Sequence, residues 1–345
     1  MSVDEVAPHR RGRPPTLREV AAMAGVSIAT ASKALNGRQH VGSATRQRVQ
    51  SAADALNFSP NALAQGMVAQ RSGTVGLLTS DLVGRFSMPV LRGAEDAFGS
   101  EKMSVLLADA RDDHIRQQHH LRALLSRRVD GLIVVGAQPD PRPSLGQDLG
   151  VPVVYAYAPS DDPQDMSVVA DDVAGGRLAV DHLIRCGRRT IAHVTGDPTY
   201  GASHDRARGA VERLTEAGLA VAGGEVMYDS WSEAWGRGAT RLLLEREPGL
   251  DAVFAGSDQI ARGVLDALLE AGKRVPEEVA VIGFDNWEVL ATGSRPPLTT
   301  IDPALENLGR VAALRLASAI EGRAGHGVEA YPCRLVTRSS TAPLH

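Results

Sequence analysis

The sequence predicts an N-terminal all-α helix-turn-helix head joined to an α/β body of two lobes, with parallel sheets and helices on both faces. Three observations predict it. Thr16–Asn36 reads as two capped helices around a glycine turn. Positive charge gathers in the first 72 residues, where nine Lys/Arg stand against four Asp/Glu. That is about +5, which leaves about −9 for the rest of a chain of formal charge −4. From Thr74 onward, short continuous apolar runs alternate with helical stretches, the pattern of parallel strands buried on both faces.

The 345 residues are enough for two or three domains. Hydrophobic residues make up 43% of the chain but aromatics only 4%, so packing must rest on Ala, Val and Leu. Cys186 and Cys333 are too few for a disulfide framework and lack metal-ligand spacing. No apolar run approaches the roughly 18 residues that span a bilayer. The charged N-terminus is not followed by the apolar core of an export signal. A cytoplasmic protein without membrane contact is therefore expected. A basic head on an acidic body implies that only the head meets a polyanion.

Taken in order, residues 1–15 form a polar, proline-bearing arm, expected to be disordered. Within it Arg10, Arg11 and Arg13 resemble the basic arms that lie in an A·T-rich minor groove, with a solvated tail as the alternative. The DNA-binding head spans residues 16–58. Thr16 and Glu19 make a capping box, and Val20, Ala21 and Ala24 repeat at helical spacing before Gly25 ends the helix. Ser27 caps a second helix that runs to Leu35 and stops at Asn36-Gly37. Small residues at the contact, Ala21, Ala24 and Ala31, complete the helix-turn-helix signature, whose second helix enters the major groove. An ordinary helical hairpin is the alternative. A third helix, Ala44–Leu56, turns Val49, Ala52 and Leu56 inward, and its Arg46 and Arg48 suit phosphates.

On the recognition helix, Ile28 and Ala29 offer only apolar contact, while Thr30, Ser32 and Lys33 can hydrogen-bond to bases or phosphates. Thr16, Ser27, Asn36, Arg11 and Arg13 complete the candidate DNA contacts of the head. Residues 59–72 form a hinge or linker. Ser59 can cap and Pro60 suits the first helical position, but the helix to Met67 is too short to be stable alone. It would order only when held, and a plain linker is the alternative.

The body, residues 73–341, reads as strand Val75–Thr79, helix Val90–Phe98, strand Val105–Ala108, helix His114–Leu125 and strand Gly131–Val135. Strand Val151–Tyr155, helix Gly175–Cys186, strand Ile191–Thr195 and helices Asp205–Ala217 and Glu233–Glu245 follow. The last units are strand Ala252–Ala255, helix Gln259–Ala271, strand Val279–Phe284 and helix Ala304–Glu321. These units exceed one ordinary sheet, so two lobes are expected. Lobe 1 is set at about 73–187 plus 302–330, and lobe 2 at about 188–301 plus 331–341. Ligands of such sheets bind at the carboxyl ends of the strands, here in the cleft between lobes. Polar residues gather at those ends: Ser80-Asp81, Asp109 with Arg111, Asp171-Asp172, Ser257-Asp258 and Asp285-Asn286. Each Asp is also an ordinary helix cap. Together with Arg206 and Trp231, in loop-like contexts, they fit a polar neutral ligand.

The blocks TLREVAAMAGVS, TASKALNG and AALNFSPNALA, followed by SDLVGRFSMPVLRGAEDAF, VVADDVAGGRLAVDHLI, AGSDQIARGVLDAL and VAVIGFDN, resemble the lactose-repressor/galactose-repressor (LacI/GalR) family of bacterial transcription regulators. The resemblance spans residues 16–341. It implies a periplasmic-binding-protein-like body and a hinge helix that folds in the operator minor groove, with Asn61, Ala64 and Met67 among its DNA contacts. Met67 stands where the family usually has the Leu that wedges a base step apart, and Gly66 weakens the hinge helix further. In the effector cleft, the resemblance implies Phe86, Arg111, Arg206, Trp231, Ser257, Asp258 and Asp285. Gly84-Arg85 replaces a common Asn-Pro, Ser257 replaces an Asn, and Asp172 replaces a frequent Asn.

No HExxH, GxxxxGK[ST], GxGxxG or GxSxG occurs, so neither an enzyme nor a metal or other cofactor is expected. His193, in a strand, reads as a satisfied core residue. The expected function is sequence-specific transcriptional regulation, most simply repression. Its partners would be pseudo-palindromic double-stranded operator DNA, a sugar-like effector and a second copy of the chain, the homodimer forming through the body. Ligand-independent or corepressor-dependent regulation is an alternative. An exported sugar-binding protein is opposed by the basic head.

Overall fold

The structure, a computed structural model, describes residue 13 and residues 15–35, 41–58, 71–80, 85–100 and 103–341. The chain divides into two compact units, Met1–Ser72 and Gly73–His345.

The described part of the first unit holds α1 (Leu17–Ala24), α2 (Ile28–Leu35) and α3 (Ser43–Ala55). The capping box forms as the sequence implies: Thr16 N donates to Glu19 Oε2 at 2.6 Å, and Glu19 N donates to Thr16 Oγ1 at 3.4 Å. Gly25 takes the left-handed conformation, φ 65°, which ends α1 without a Cβ penalty. Ser27 Oγ then accepts from Thr30 N at 3.1 Å and starts α2. Val20, Ala21, Ala24, Ala31, Ala34, Val49, Ala52 and Ala53 form the buried core, with Leu56 and Phe58 packed against it. Small side chains let three short helices approach closely enough to share it. Arg10, Arg11, Asn36 and the hinge residues Asn61, Ala64, Gly66 and Met67 lie outside the described residues, and Arg13 is exposed.

The second unit contains two six-stranded sheets. Its first elements are β1 (Thr74–Thr79), α4 (Ser87–Ser100), β2 (Ser104–Asp109), α5 (His114–Ser126), β3 (Leu132–Val135), β4 (Val153–Ala156) and β5 (Met166–Ala170). Then come α6 (Asp172–Arg185), β6 (Ile191–Thr195), α7 (Gly201–Glu216), β7 (Met227–Tyr228), α8 (Glu233–Arg246), β8 (Ala252–Ala255) and α9 (Asp258–Glu270). The chain continues through β9 (Ala280–Phe284), α10 (Glu288–Gly293), β10 (Thr299–Asp302), α11 (Leu305–Ile320), β11 (Gly327–Tyr331) and β12 (Arg334–Val336). The first sheet runs β11-β5-β4-β3-β1-β2 and the second β12-β10-β9-β8-β6-β7. All neighbours are parallel except β12, which pairs antiparallel to β10.

Each sheet is covered on both faces, which is why its central strands read as unbroken apolar runs. In lobe 1, Leu77, Ile133 and Val154 meet Val90, Phe98, Leu308 and Leu316 from α4 and α11. Leu121, Leu124 and Leu132 fill the opposite face. In lobe 2, Val194, Val253 and Val281 meet Leu243 and Val264 from α8 and α9, while Phe254 and Ile282 meet Val180, Leu183 and Leu214 from α6 and α7. The strand read at Val105–Ala108 departs from this pattern. As β2 it is an edge strand, and Leu106 and Leu107 are exposed.

The chain crosses between lobes three times, after β5, after β10 and after β11. The first crossing lies at Asp171, not near residue 187. The apolar face of α6, with Ala179, Val180 and Leu183, packs on lobe 2 against Ile191, Leu214 and Phe254. The boundary expected from the sequence sets this helix in lobe 1, but tertiary packing decides.

His193 in β6 is buried, stacks on Phe254 with ring centroids 4.3 Å apart, and lies with Nδ1 2.9 Å from Phe254 O. Burial pushes its pKa down from 6.5 to about 4. The folded state therefore takes up its proton later than the unfolded chain as pH falls. The linked stability is complete above pH 6.5 and is lost as pH falls toward 4. Between pH 7 and 5 the wild type should lose about 2 kcal/mol that His193→Leu does not lose. Urea unfolding of both proteins at the two pH values measures the difference, and parallel losses would contradict this protonation state.

Candidate functional site

The site grows from the contact between α6 and α7. Gly176 and Gly209 let their backbones touch: an added Cβ at Gly176 would lie 2.1 Å from Arg206 O, and one at Gly209 2.0 Å from Val173 O. This approach sets Arg206 beside Asp172 at the start of α6. Arg206 therefore sits on α7, as the helix read at Asp205–Ala217 implies, rather than in a loop-like context. Its Nε donates to Asp172 Oδ1 at 2.8 Å and its Nη1 to Gly256 O at 2.6 Å, and its guanidinium lies 3.7 Å from the Phe284 ring centre. Both Arg206 and Asp172 are buried.

Asp285 follows β9 with φ 105°, a strained backbone for a residue with a side chain. Strain of this kind costs about 1–3 kcal/mol and persists where the surroundings dictate it. Here Asp285 N donates to Ile301 O at 2.8 Å, and Asp258 grips the next turn by accepting from Trp287 N at 2.7 Å. The Asp285 carboxylate is thereby aimed at Arg206, with Oδ1 3.6 Å from Nη1. Its Oδ2 accepts from Arg85 Nη2 at 2.6 Å. Two guanidinium groups thus face two carboxylates, Asp172 and Asp285. Burial works against the charge on Arg206, but the two carboxylates outweigh it and its pKa rises. Burial also raises Asp172, opposed by Arg206. Tyr157 lies well above the usual phenol range, first through burial and then through Asp285, and keeps its proton.

Around this cluster stand aromatic faces. Phe86 and Tyr157 stack at 4.8 Å, and Tyr200 meets Trp231 edge-on at 5.9 Å. Gly196 leaves room for the indole, since a Cβ there would lie 2.1 Å from it. Phe86, Tyr157, Arg206, Trp231, Arg85 and Asp285 line a cavity of about 380 Å³, with Gln138, Tyr200 and Gln259 at its edges. A neighbouring cavity of about 490 Å³ shares Arg85, Phe86 and Asp285 and extends to Asn286, Trp287, Leu305 and Arg334. The walls come from the carboxyl ends of strands in both lobes, where α/β sheets bind ligands. Among the described residues, Asp285 Oδ1 and Trp231 Nε1 are buried without a hydrogen-bond partner.

The structure brings together Phe86, Arg206, Trp231 and Asp285 of the sequence candidates, and leaves out three. Arg111 is largely exposed and pairs with Asp109 at 3.7 Å. Ser257 is buried as the cap of α9, accepting from Ile260 N at 3.2 Å. Asp258 is buried beneath the site and accepts from Thr300 Oγ1 at 2.5 Å as well as from Trp287 N. Burial, then the charge of Asp285, pushes its pKa up to about 8. Both residues are consumed by the backbone they stabilise, as helix starts commonly are. Sequence reasoning missed Arg85, Tyr157, Tyr200 and Gln138. Arg85 left a signal only as an unusual residue before Phe86, and Tyr157 lies just past an apolar run.

In the head, Ser27, Ile28, Ala29 and Lys33 are exposed on α2 and at its start. Thr30 is half-buried and its hydroxyl lies 2.8 Å from Ser27 Oγ.

Residues 16–61 match the family described as bacterial regulatory proteins, lacI family, and residues 180–341 match a periplasmic binding protein-like domain. The HTH-type transcriptional regulator CelR of Thermobifida fusca is 35% identical over 320 residues, covering 90% of this chain and 94% of its own length. The chain belongs to the LacI family. The ribose operon repressor of Escherichia coli K12 is 33% identical over 86% of this chain and 90% of its own. Among solved structures, a complex of CelR with cellobiose is 32% identical with TM-score 0.63, covering 94% of this chain and 99% of that one. A lac repressor dimer bound to operator and the anti-inducer ONPF is 28% identical with TM-score 0.72, covering 95% and 99%. This LacI-family chain is accordingly a DNA-binding transcriptional regulator and not an enzyme. Among the described residues, no helix is long and apolar enough to cross a membrane.

Proposed function

We propose that this regulator is a cytoplasmic repressor that binds a pseudo-palindromic operator as a homodimer and responds to a neutral sugar in the cleft between its lobes. One observation carries the effector reading. The 380 Å³ cavity is lined by Asp285 and Trp231, whose Oδ1 and Nε1 make no hydrogen bond, among aromatic faces and over a cluster whose charges cancel. A hydroxyl-rich ring supplies both a donor for Asp285 Oδ1 and an acceptor for Trp231 Nε1, and its apolar faces suit Phe86, Tyr157 and Trp231. A charged ligand would find no uncompensated counter-charge. The solved complex of the relative CelR with cellobiose agrees in ligand class.

Phe86, Arg206, Trp231 and Asp285 are the proposed effector contacts. In the head, Ser27, Ile28, Ala29, Thr30, Ser32 and Lys33 are the proposed contacts to the major groove, and Met67 in the hinge remains the proposed wedge. For the homodimer, exposed Leu106 and Leu107 on the edge strand β2 offer an unpaired apolar border. Ligand binding shifts the lobes only through unequal affinity for their two arrangements, on the order of 1–3 kcal/mol.

Calorimetric titration with cellobiose, lactose and ribose tests the reading. One of these sugars should bind, and Trp231→Ala should weaken it about 10–100-fold by removing a ring face and an N–H. If no saccharide binds the folded wild type, the sugar reading is wrong.

A further inference from the structure

Among the described residues, Arg85 and Asp140 each make a hydrogen bond from lobe 1 to lobe 2. Arg85 belongs to lobe 1, just before α4, and Asp285 to lobe 2. Besides its 2.6 Å bond to Asp285 Oδ2, the Arg85 guanidinium lies 4.7 Å from the ring centres of both Phe86, in its own lobe, and Trp287, in the other. A charge-assisted bond between stacked aromatic faces is stronger than an exposed ion pair. The second contact is made by Asp140, which follows β3 in lobe 1. Its Oδ1 accepts from the backbone N of Gly201, the first residue of α7 in lobe 2, at 2.6 Å. Tyr200 precedes α7 and gives it no side-chain cap. The first turn of the helix that carries Arg206 is therefore capped from the opposite lobe, with a carboxylate at its positive end.

We propose that Arg85 and Asp140 hold the lobes closed in the absence of effector, and that Arg85 is a resident occupant of the effector's place on Asp285. The closed arrangement is then populated before ligand arrives, and a ligand biases it by exchanging contacts. Asp285 Oδ1, 3.6 Å from Arg206 Nη1, still lacks a hydrogen bond that a sugar hydroxyl can supply, whereas Oδ2 already accepts from Arg85. A larger ligand must displace Arg85, which lines both cavities with Phe86 and Asp285, and so joins them. This consequence rests on the effector reading above; the closure itself does not.

Amide hydrogen exchange on the ligand-free full-length protein tests the closure. Arg85→Gln and Arg85→Ala should each speed exchange across residues 200–206 about three- to tenfold, although the Gly201 amide is bonded to Asp140. Exchange in β8 should not change. Arg334→Ala, which removes an ion pair with Asp302 inside lobe 2, should leave both segments unchanged. Unchanged exchange at 200–206 in both Arg85 variants would overturn the proposal. So would an equal rise in β8, which would report general loosening, or an equal rise at 200–206 in Arg334→Ala. Because no ligand is present, the result is independent of whether the cleft binds a sugar.

Discussion

Replacing Arg206 by Met should lower the unfolding free energy of the body by about 3–5 kcal/mol and abolish the effector response in the same protein. The side chain is 6% exposed and links Asp172, Gly256 O and Asp285. Methionine fills much of the volume but leaves the buried Asp172 without its partner, while Asp285 keeps Arg85, and removing one partner of a buried pair is costly because the other stays behind uncompensated. Arg206→Lys should not rescue the response. A single ammonium lacks the planar fork that reaches Asp172 and the Gly256 carbonyl together. Urea unfolding gives the stability, and operator binding with and without sugar gives the response. A loss under 1 kcal/mol with the response intact would mean that the cluster is not the centre of the site.

Gly176→Ala should also be damaging, although less so and although it adds only one methyl group. The new Cβ would lie 2.1 Å from the backbone oxygen of Arg206, which cannot move aside as a flexible side chain would. The two helices must separate, at a typical cost of about 1–3 kcal/mol, and Arg206 is carried away from Asp172. Effector affinity should fall with stability. The control is Gly238→Ala on the exposed face of α8, where an added Cβ meets nothing within 4 Å. There, relief of glycine's chain entropy should stabilise by about 0.4–1 kcal/mol. Equal effects at Gly176 and Gly238 would show that the α6–α7 contact does not position the site.

The parts of this molecule legible in the sequence are those fixed by local chemistry or by full burial. Thr16, Glu19 and Gly25 set the ends of α1 through bonds three residues apart, so the helix-turn-helix could be read directly. Runs such as Ile191–Thr195 announce central strands because both faces are covered. By contrast β11 at Gly327–Tyr331 alternates half-buried and exposed residues at a sheet edge and presents no apolar run. The place of α6 is set by partners from Ile191 to Phe254, which no neighbouring residue announces.

The site divides along the same line. Asp285 stood out among the polar residues at strand ends, and Arg206 as a charged residue that could join them. Ser257 and Asp258 stood out equally, but their side chains serve the start of α9 and the turn before α10. Arg85 and Asp140 act on residues 200 and 61 positions away. Only the closed arrangement of the lobes shows what they do.

The central claim is that a ligand in the cleft controls DNA binding by the head. The direct test is to select a duplex from a random pool with the full-length protein. Its affinity is then titrated at several salt concentrations, with and without a saturating sugar found by calorimetry. The account predicts a salt-sensitive preference for a two-fold symmetric sequence over random DNA, and a change of about 5–150-fold when the sugar is added. Binding that ignores sequence symmetry, or an affinity unmoved by a sugar that demonstrably occupies the cleft, would contradict it.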